Sequence, residues 1–193
     1  WQLSIQWENN WKFNESHLPE ELSPFYLEGK FLSFISINPQ LSHIVFGLDK
    51  YPEDEFTHIE EYVTADGYSR SVNARPKVGS EDPVHEIYIW DLGADTCIKS
   101  SFDHLTGVRT RPVFFQEYEK ENFKSESELP KKLVFHDHGF NDSGTRHLLE
   151  VKSYDNKDRW IICYDVAAKT WLELDHQHDE AWIGGPGISG WKL

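Results

Sequence analysis

The chain has 193 residues, 15% of them aromatic, and a formal net charge of −14 at pH 7. This length suffices for one domain with a sizeable core, and the abundance of aromatic residues favours β structure. The acidic surface repels phosphate backbones, which argues against nucleic-acid binding, and would attract cationic partners such as a peptide amino terminus. The favoured interpretation of the charge is that it keeps the protein soluble. No apolar run approaches the length of a membrane span, and no signal peptide is visible.

The first 30 residues are expected to form an irregular N-terminal segment, because Pro19 and Pro24 prevent one long helix. From residue 31 onward, runs of aromatic and β-branched residues alternate with turn residues, which predicts strands. We expect strands at Phe31–Ile37, His43–Leu48, Glu60–Thr64, Ser69–Ala74, Glu86–Leu92, Cys97–Ser101, His147–Val151, Arg159–Tyr164 and Trp171–Leu174. Asp66-Gly67 is expected to turn a hairpin, because Asp-Gly readily adopts positive φ.

Two further segments are less regular. Residues 107–115, from Gly107 to Phe115, are read as new strand material. Residues 117–132 are dense in Lys, Glu and Ser, which predicts a solvated loop or a short helix. Gly184-Gly185-Pro186-Gly187 is read as a sharp bend between strand units, since no helix pattern follows it.

The strand pattern repeats within the chain. Residues 87–96 align with residues 161–170 at an offset of 74, and residues 37–46 align with residues 140–149 at an offset of 103. The difference between the two offsets indicates an insertion in the first copy of the repeat, near residues 49–85. A strand repeat of this kind predicts a partial β-propeller over residues 31–193, with about two recognisable four-stranded antiparallel blades. The absence of methionine, even at position 1, also predicts a mature or excised fragment.

Catalytic motifs are not apparent. A serine hydrolase nucleophile sits in Gly-x-Ser-x-Gly, which this chain lacks, so we assign no catalytic residue and no cofactor. Histidines cluster at His136, His138, His176 and His178. His-x-His on a strand places both rings on one face, which is compatible with a metal, but neither pair has the spacing of a zinc motif. Neutral histidines in hydrogen-bonded turns are the favoured interpretation, and we assign no metal ligand.

A charged group near the carboxyl end is the candidate substrate-binding site. Arg159 is expected to pair with a carboxylate in a bidentate manner. Structural ion pairing is the favoured interpretation of this group. The alternative is a site for a substrate ammonium ion, held by Asp179 or Glu180 and backed by Trp182. Cys97 and Cys163 are read as buried free thiols, with a disulfide left open.

Three blocks carry a family resemblance: Tyr154–Trp160, Leu174–Gly187 and Arg75–Gly79. They resemble the propeller segment of serine peptidases of the prolyl oligopeptidase family, in the dipeptidyl-peptidase-IV-like branch, over roughly residues 31–191. The paired-glutamate helix of dipeptidyl peptidases has no clear match, because the doublet Glu60-Glu61 lies within the insertion.

The resemblance implies a β-propeller that caps a C-terminal α/β-hydrolase domain not contained in this chain. That domain carries the Ser, His and Asp of catalysis in the family. The chain would then gate and shape the access of peptide substrates, in a periplasmic or secreted protein, with homodimerisation left open. A stand-alone β-propeller-type binding or interaction module without catalysis is the alternative.

Overall fold

The computed structural model describes residues 22–53, 56–76, 79–113 and 129–183. Within these ranges the protein is all-β, with ten strands in two four-stranded sheets and one two-stranded sheet. The strands are β1 Phe31–Ile37, β2 His43–Lys50, β3 Phe56–Glu61, β4 Arg70–Pro76, β5 Val84–Asp91, β6 Thr96–Lys99, β7 Leu133–Phe140, β8 Arg146–Ser153, β9 Asp158–Asp165 and β10 Thr170–His178. In these described ranges we find no helix able to cross a membrane.

Both larger sheets are antiparallel meanders. The first sheet has the order β1-β2-β5-β6 and the second has the order β10-β9-β8-β7. The predicted all-β fold with four-stranded antiparallel units is therefore confirmed. A closed propeller ring is not formed by the described residues, and the predicted bend at residues 184–187 lies outside them.

The strand bounds repeat at the two offsets seen in the sequence. Strand β8 begins and ends 103 residues after β2, and β9 begins and ends 74 residues after β5. Strand β7 completes the second sheet at its edge and pairs with β8 from Leu133↔Ser153 to Phe140↔His147. The β3–β4 hairpin is inserted between β2 and β5, so it interrupts the first copy of the repeat.

The two sheets stack head to tail. We call the face of the first sheet that carries Val45 and Ile87 its leading face. The offsets of 103 and 74 relate these residues to Leu148 and Ile161, which therefore define the leading face of the second sheet. The opposite face of each sheet is its trailing face. The buried core joins the leading face of the first sheet to the trailing face of the second. The trailing-face residues of the second sheet in this core are Leu149, Val151, Trp160, Ile162, Tyr164 and Trp171.

A run of tight turns fills the junction between the sheets. Phe102, Leu105 and Val108 are buried in the same core. Backbone bonds close successive turns, including Val108 N to Leu105 O at 3.1 Å and Thr110 N to Gly107 O at 2.9 Å. The strand predicted from Gly107 is therefore wrong over residues 107–113, because Gly107 has a φ of 74° and its neighbours bond locally. Residues 114–115 lie outside the described ranges.

The inserted hairpin begins earlier than predicted. Its first strand is β3, Phe56–Glu61, whereas the sequence suggested residues 60–64. Thr64 Oγ1 donates to Asp66 Oδ1 at 2.7 Å, and Tyr68 N donates to the same oxygen at 3.1 Å. These local bonds replace ladder pairing near the turn. The predicted turn itself is present, with Gly67 at a φ of 77°.

Candidate binding site

A buried ion pair lies at the end of the second sheet where β9 begins. Lys131 Nζ donates to Asp158 Oδ2, and the two side chains are only 3% and 1% exposed. Lys131 is held in place by its own backbone, because its N–H donates to Val108 O at 2.8 Å. A buried lysine is stabilised when a carboxylate compensates its charge, so the pair fixes the chain before β7 against β9.

Two imidazoles share the other oxygen of Asp158. His176 Nε2 lies 2.9 Å and His178 Nδ1 lies 2.8 Å from Asp158 Oδ1. The two histidines reach one atom because residues two apart on a strand share a face. His176 also stacks on Trp160, with ring centroids 5.2 Å apart and planes at 7°. Trp160 Nε1 in turn donates to Thr106 O at 2.8 Å, which ties the network to the turns between the sheets.

The network sets the protonation of its members. Burial acts to raise the pKa of Asp158, but the hydrogen bonds from Lys131, His176 and His178 outweigh it and leave that pKa lowered. The hydrogen bond to Asp158 raises the pKa of His178, against burial, and Glu180 adds to the effect. Asp158 is therefore an anion at neutral pH, and His178 binds a proton more readily than an ordinary histidine.

The predicted residues Asp179, Glu180 and Trp182 form a turn next to this network. Asp179 Oδ1 accepts from Ala181 N at 2.7 Å and from Trp182 N at 3.0 Å. Glu180 Oε1 lies 3.3 Å from His178 Nε2, and the Trp182 side chain is exposed. Glu180 is thus linked to Asp158 through His178, whereas one Asp179 oxygen already caps the turn.

Arg159, the remaining predicted site residue, does not lie in this turn. It is buried and donates from Nη2 to Gln177 Oε1 at 2.6 Å. Because successive residues of a strand point to opposite faces, Arg159 projects from the leading face and Asp158 from the trailing face. The structure therefore gathers Asp179, Glu180 and Trp182 in one turn and puts Arg159 on the other side of the sheet.

Sequence reasoning missed Lys131. Its segment is rich in Lys, Glu and Ser and was read as solvated, yet Lys131 is buried. Nothing in the local pattern marks it, since its partner Asp158 lies 27 positions away. Residues 117–128 of that segment lie outside the described ranges.

A groove of about 530 Å³ opens between the sheets beside Lys131. Its volume lies within the range of small-molecule and side-chain pockets. Phe102 and Phe135, with ring centroids 4.9 Å apart, supply apolar lining. Lys99 and Lys132 also line it, and they pair with Glu86 at 2.6 Å and with Asp82 at 2.8 Å. The groove can therefore take an apolar side chain, with paired charges at its walls.

In the described ranges, no group of three or more His, Cys, Asp or Glu side chains is arranged to hold a metal ion. The candidate pair His176 and His178 is directed at Asp158, which Lys131 already neutralises. Cys97 and Cys163 are free thiols, and burial raises the pKa of both, that of Cys97 to about 11.

Comparison with known proteins gives no family assignment. No family model matches the chain, and no curated protein matches it. Among solved structures, dipeptidyl peptidase 4 from Porphyromonas gingivalis aligns with a TM-score of 0.47 and 7% identity, covering 77% of this chain and 18% of that one. A putative dipeptidyl aminopeptidase IV from Bacteroides ovatus aligns with a TM-score of 0.43 and 10% identity, covering 80% and 18%. This chain thus spans less than a fifth of those proteins, and at these scores the likeness decides neither fold nor function.

Proposed function

We propose that the chain is the propeller portion of a serine peptidase of the prolyl oligopeptidase family. Its two larger sheets would be neighbouring blades that shape the access of peptide substrates to a hydrolase domain outside this chain. The observation that carries the proposal is the head-to-tail stacking, in which the leading face of the first sheet packs on the trailing face of the second. Head-to-tail interfaces between repeats generate rings or open arrays, and a propeller is such a ring.

The position of the sequence blocks behind the resemblance supports the family. Tyr154–Trp160 contains the β8–β9 turn, and residues 174–183 contain the end of β10 and the following turn. The two blocks meet, because Ile183 N donates to Asn156 O at 2.7 Å and Asp179 N donates to Lys157 O at 2.9 Å. Residues distant in sequence but similar to one family thus form one local structure.

One end of both sheets gathers the polar features. The groove, the Asp158 network and the Asp179–Trp182 turn all lie where β7 and β9 begin and β10 ends. In the proposal this end faces the substrate. The formal charge of −14 favours peptides with a cationic amino terminus, and Glu180, which is exposed, is a carboxylate available to hold it.

The test uses the polypeptide as it occurs in the producing cells. An antibody raised against residues 31–183 isolates it, and a fluorophosphonate probe then reports any activated serine. We expect a labelled polypeptide much heavier than 22.6 kDa, with a labelled Gly-x-Ser-x-Gly peptide outside the present sequence. A polypeptide near that mass without label would overturn the proposal and favour a binding module.

A further inference from the structure

A second cavity, of about 450 Å³, opens at the same end of the sheets as the groove. It lies where β2 ends, β5 begins and β8 ends, and we call it the aromatic pocket. Three aromatic side chains line it: Tyr51 follows β2, Phe56 begins β3, and Tyr154 lies in the β8–β9 turn. Head-to-tail stacking covers the faces of the sheets but not the ends of their strands, so a ring of blades would leave this pocket open.

The aromatic side chains of the pocket remain about half exposed. Tyr51 is 55% exposed, Phe56 is 43% exposed and Tyr154 is 42% exposed. A single exposed aromatic side chain is ordinary, whereas several around one cavity form an apolar surface of the kind that marks binding sites. The hydroxyl of Tyr51 donates to Asp49 Oδ2 at 3.3 Å, and its ring centroid lies 6.4 Å from that of Phe31. These contacts orient one wall of the pocket before any ligand binds.

The charged side chains that line the pocket are acidic. Glu81 is exposed, and Asp82 pairs with Lys132 at 2.8 Å. Among the described residues that line the pocket, none is a lysine or an arginine. Aromatic ring faces attract cations through the ring quadrupole, and a carboxylate supplies the opposite charge. The pocket therefore has the chemistry to bind a cation.

A guanidinium group fits this combination better than an ammonium group. Its plane stacks on aromatic rings, and its fork of N–H donors matches a carboxylate in a bidentate manner. Guanidinium is also more weakly hydrated than ammonium, so it loses less hydration energy when it enters a pocket lined by rings. The rings of Tyr51 and Tyr154 and the carboxylate of Glu81 supply both kinds of contact.

The aromatic pocket is continuous with the groove beside Lys131. Pro83 lines both cavities, and the ion pair between Asp82 and Lys132 joins a residue of the pocket to a residue of the groove. A ligand that fills both cavities must be extended, with a cationic group in the pocket and an apolar group against Phe102 in the groove. A peptide with an arginine and an apolar residue meets these requirements.

We propose that the aromatic pocket is a subsite for an arginine side chain of the peptide substrate, which rests on the proposed function because the bound peptide is taken to be a substrate. Glu180 would hold the amino terminus of that peptide, whereas the aromatic pocket would select peptides by a side chain. The subsite therefore adds a substrate preference to the proposed function.

Saturation-transfer NMR measures the binding of N-acetyl-arginine amide to the full-length polypeptide of the producing cells. N-acetyl-citrulline amide is the matched ligand, since it has a similar shape without the charge. We expect the arginine ligand to bind more tightly, and Tyr154→Ala to weaken its binding about 2- to 5-fold, which is the effect of a cation–π contact at an exposed site. Tyr62→Ala is the matched control, because Tyr62 is an exposed tyrosine outside the pocket, and it should bind as the wild type does.

The variant Glu81→Gln separates the local carboxylate from the overall charge, and it covers the case in which Tyr154→Ala fails to fold. It should weaken the binding of the arginine ligand about 2- to 5-fold, since the charged partner is lost. Asp142→Asn removes the same charge from the exposed β7–β8 turn, at the opposite end of the second sheet, and should bind as the wild type does.

Equal binding of the arginine and citrulline ligands, or equal binding by Glu81→Gln and Asp142→Asn, would overturn the subsite. The NMR signal does not depend on catalysis, so the subsite and the peptidase can fail separately. An activated serine without selective arginine binding would refute the subsite alone. Selective arginine binding without an activated serine would refute the peptidase and support the pocket as an arginine site.

Discussion

Replacing Asp158 with asparagine tests whether the buried network stabilises the junction of the sheets. The substitution keeps the side-chain shape but removes the negative charge, so the Lys131 ammonium stays buried with no carboxylate at Oδ2. Removing one partner of a buried ion pair typically costs about 3–5 kcal/mol. Since a domain of this kind has roughly 5–15 kcal/mol of stability in total, the loss is large.

Urea unfolding followed by tryptophan fluorescence measures this loss. With a slope of about 2 kcal/mol/M, a loss of about 4 kcal/mol lowers the midpoint by about 2 M. Asp103→Asn is the matched control, because Asp103 pairs with Arg109 at 2.9 Å on the surface, with both side chains more than half exposed. An exposed pair of this kind contributes less than about 1 kcal/mol.

The double variant Lys131→Met with Asp158→Asn distinguishes an unpaired charge from general disruption. It removes both charges and leaves a methionine of similar length in the core, so most of the lost stability should return. The reasoning is refuted if Asp158→Asn unfolds within about 1 kcal/mol of the wild type, or if the double variant is no more stable than the single one.

Three further substitutions test other contacts. Gly107→Ala should lose more stability in thermal unfolding than Gly67→Ala. Both glycines have positive φ, but of the two only Gly107 would bring a new Cβ against a side chain, His176 Cε1 at 3.1 Å. Equal losses of stability would contradict that contact. Tyr164→Ala should cost about 3–5 kcal/mol because the ring is buried, whereas Trp182→Ala, at an exposed position, should leave the urea midpoint nearly unchanged. His178→Gln should be less stable than the wild type at about pH 5.5, and the difference in stability should narrow by about pH 8.5. The raised pKa of His178 stabilises the fold at low pH, and that contribution is lost as the pH rises through the pKa. A difference in stability that does not depend on pH would argue against this titration.

The repeat was predictable because its signal is local. Strands β5 and β9 each end in Asp and are followed by a tight turn, and both turn carboxylates cap backbone N–H groups: Asp91 Oδ1 accepts from Ala94 N at 3.2 Å and Asp165 Oδ1 from Ala168 N at 3.0 Å. Strand β7 was harder to recognise. It carries His136, Asp137 and His138 in sequence, and its register shifts between Asp137 and Gly139, so the alternation of apolar and polar residues is broken.

The site was only partly predictable, since its contacts are long-range. The sequence placed Asp179, Glu180 and Trp182 together because they are neighbours. It also grouped Arg159 with them as one charged cluster, although Arg159 directly follows Asp158 in strand β9. Successive residues of a strand point to opposite faces, so only one of these two side chains can join the network. Asp158 does so, and Arg159 turns to the leading face.

The two leading faces differ in a way that bears on how further blades would stack. In the first sheet the position of Gly47 has no room for a side chain, because an added Cβ would lie 2.5 Å from Phe34 Cε1. The equivalent position of the second sheet is Glu150, which is buried, bonds Lys152 at 2.9 Å and lies 3.7 Å from His138. A close apolar junction and a charged one are not interchangeable, since a buried carboxylate needs partners. If the sheets are blades, the leading face of the second sheet therefore accepts a neighbour of different chemistry from the one that packs on the first.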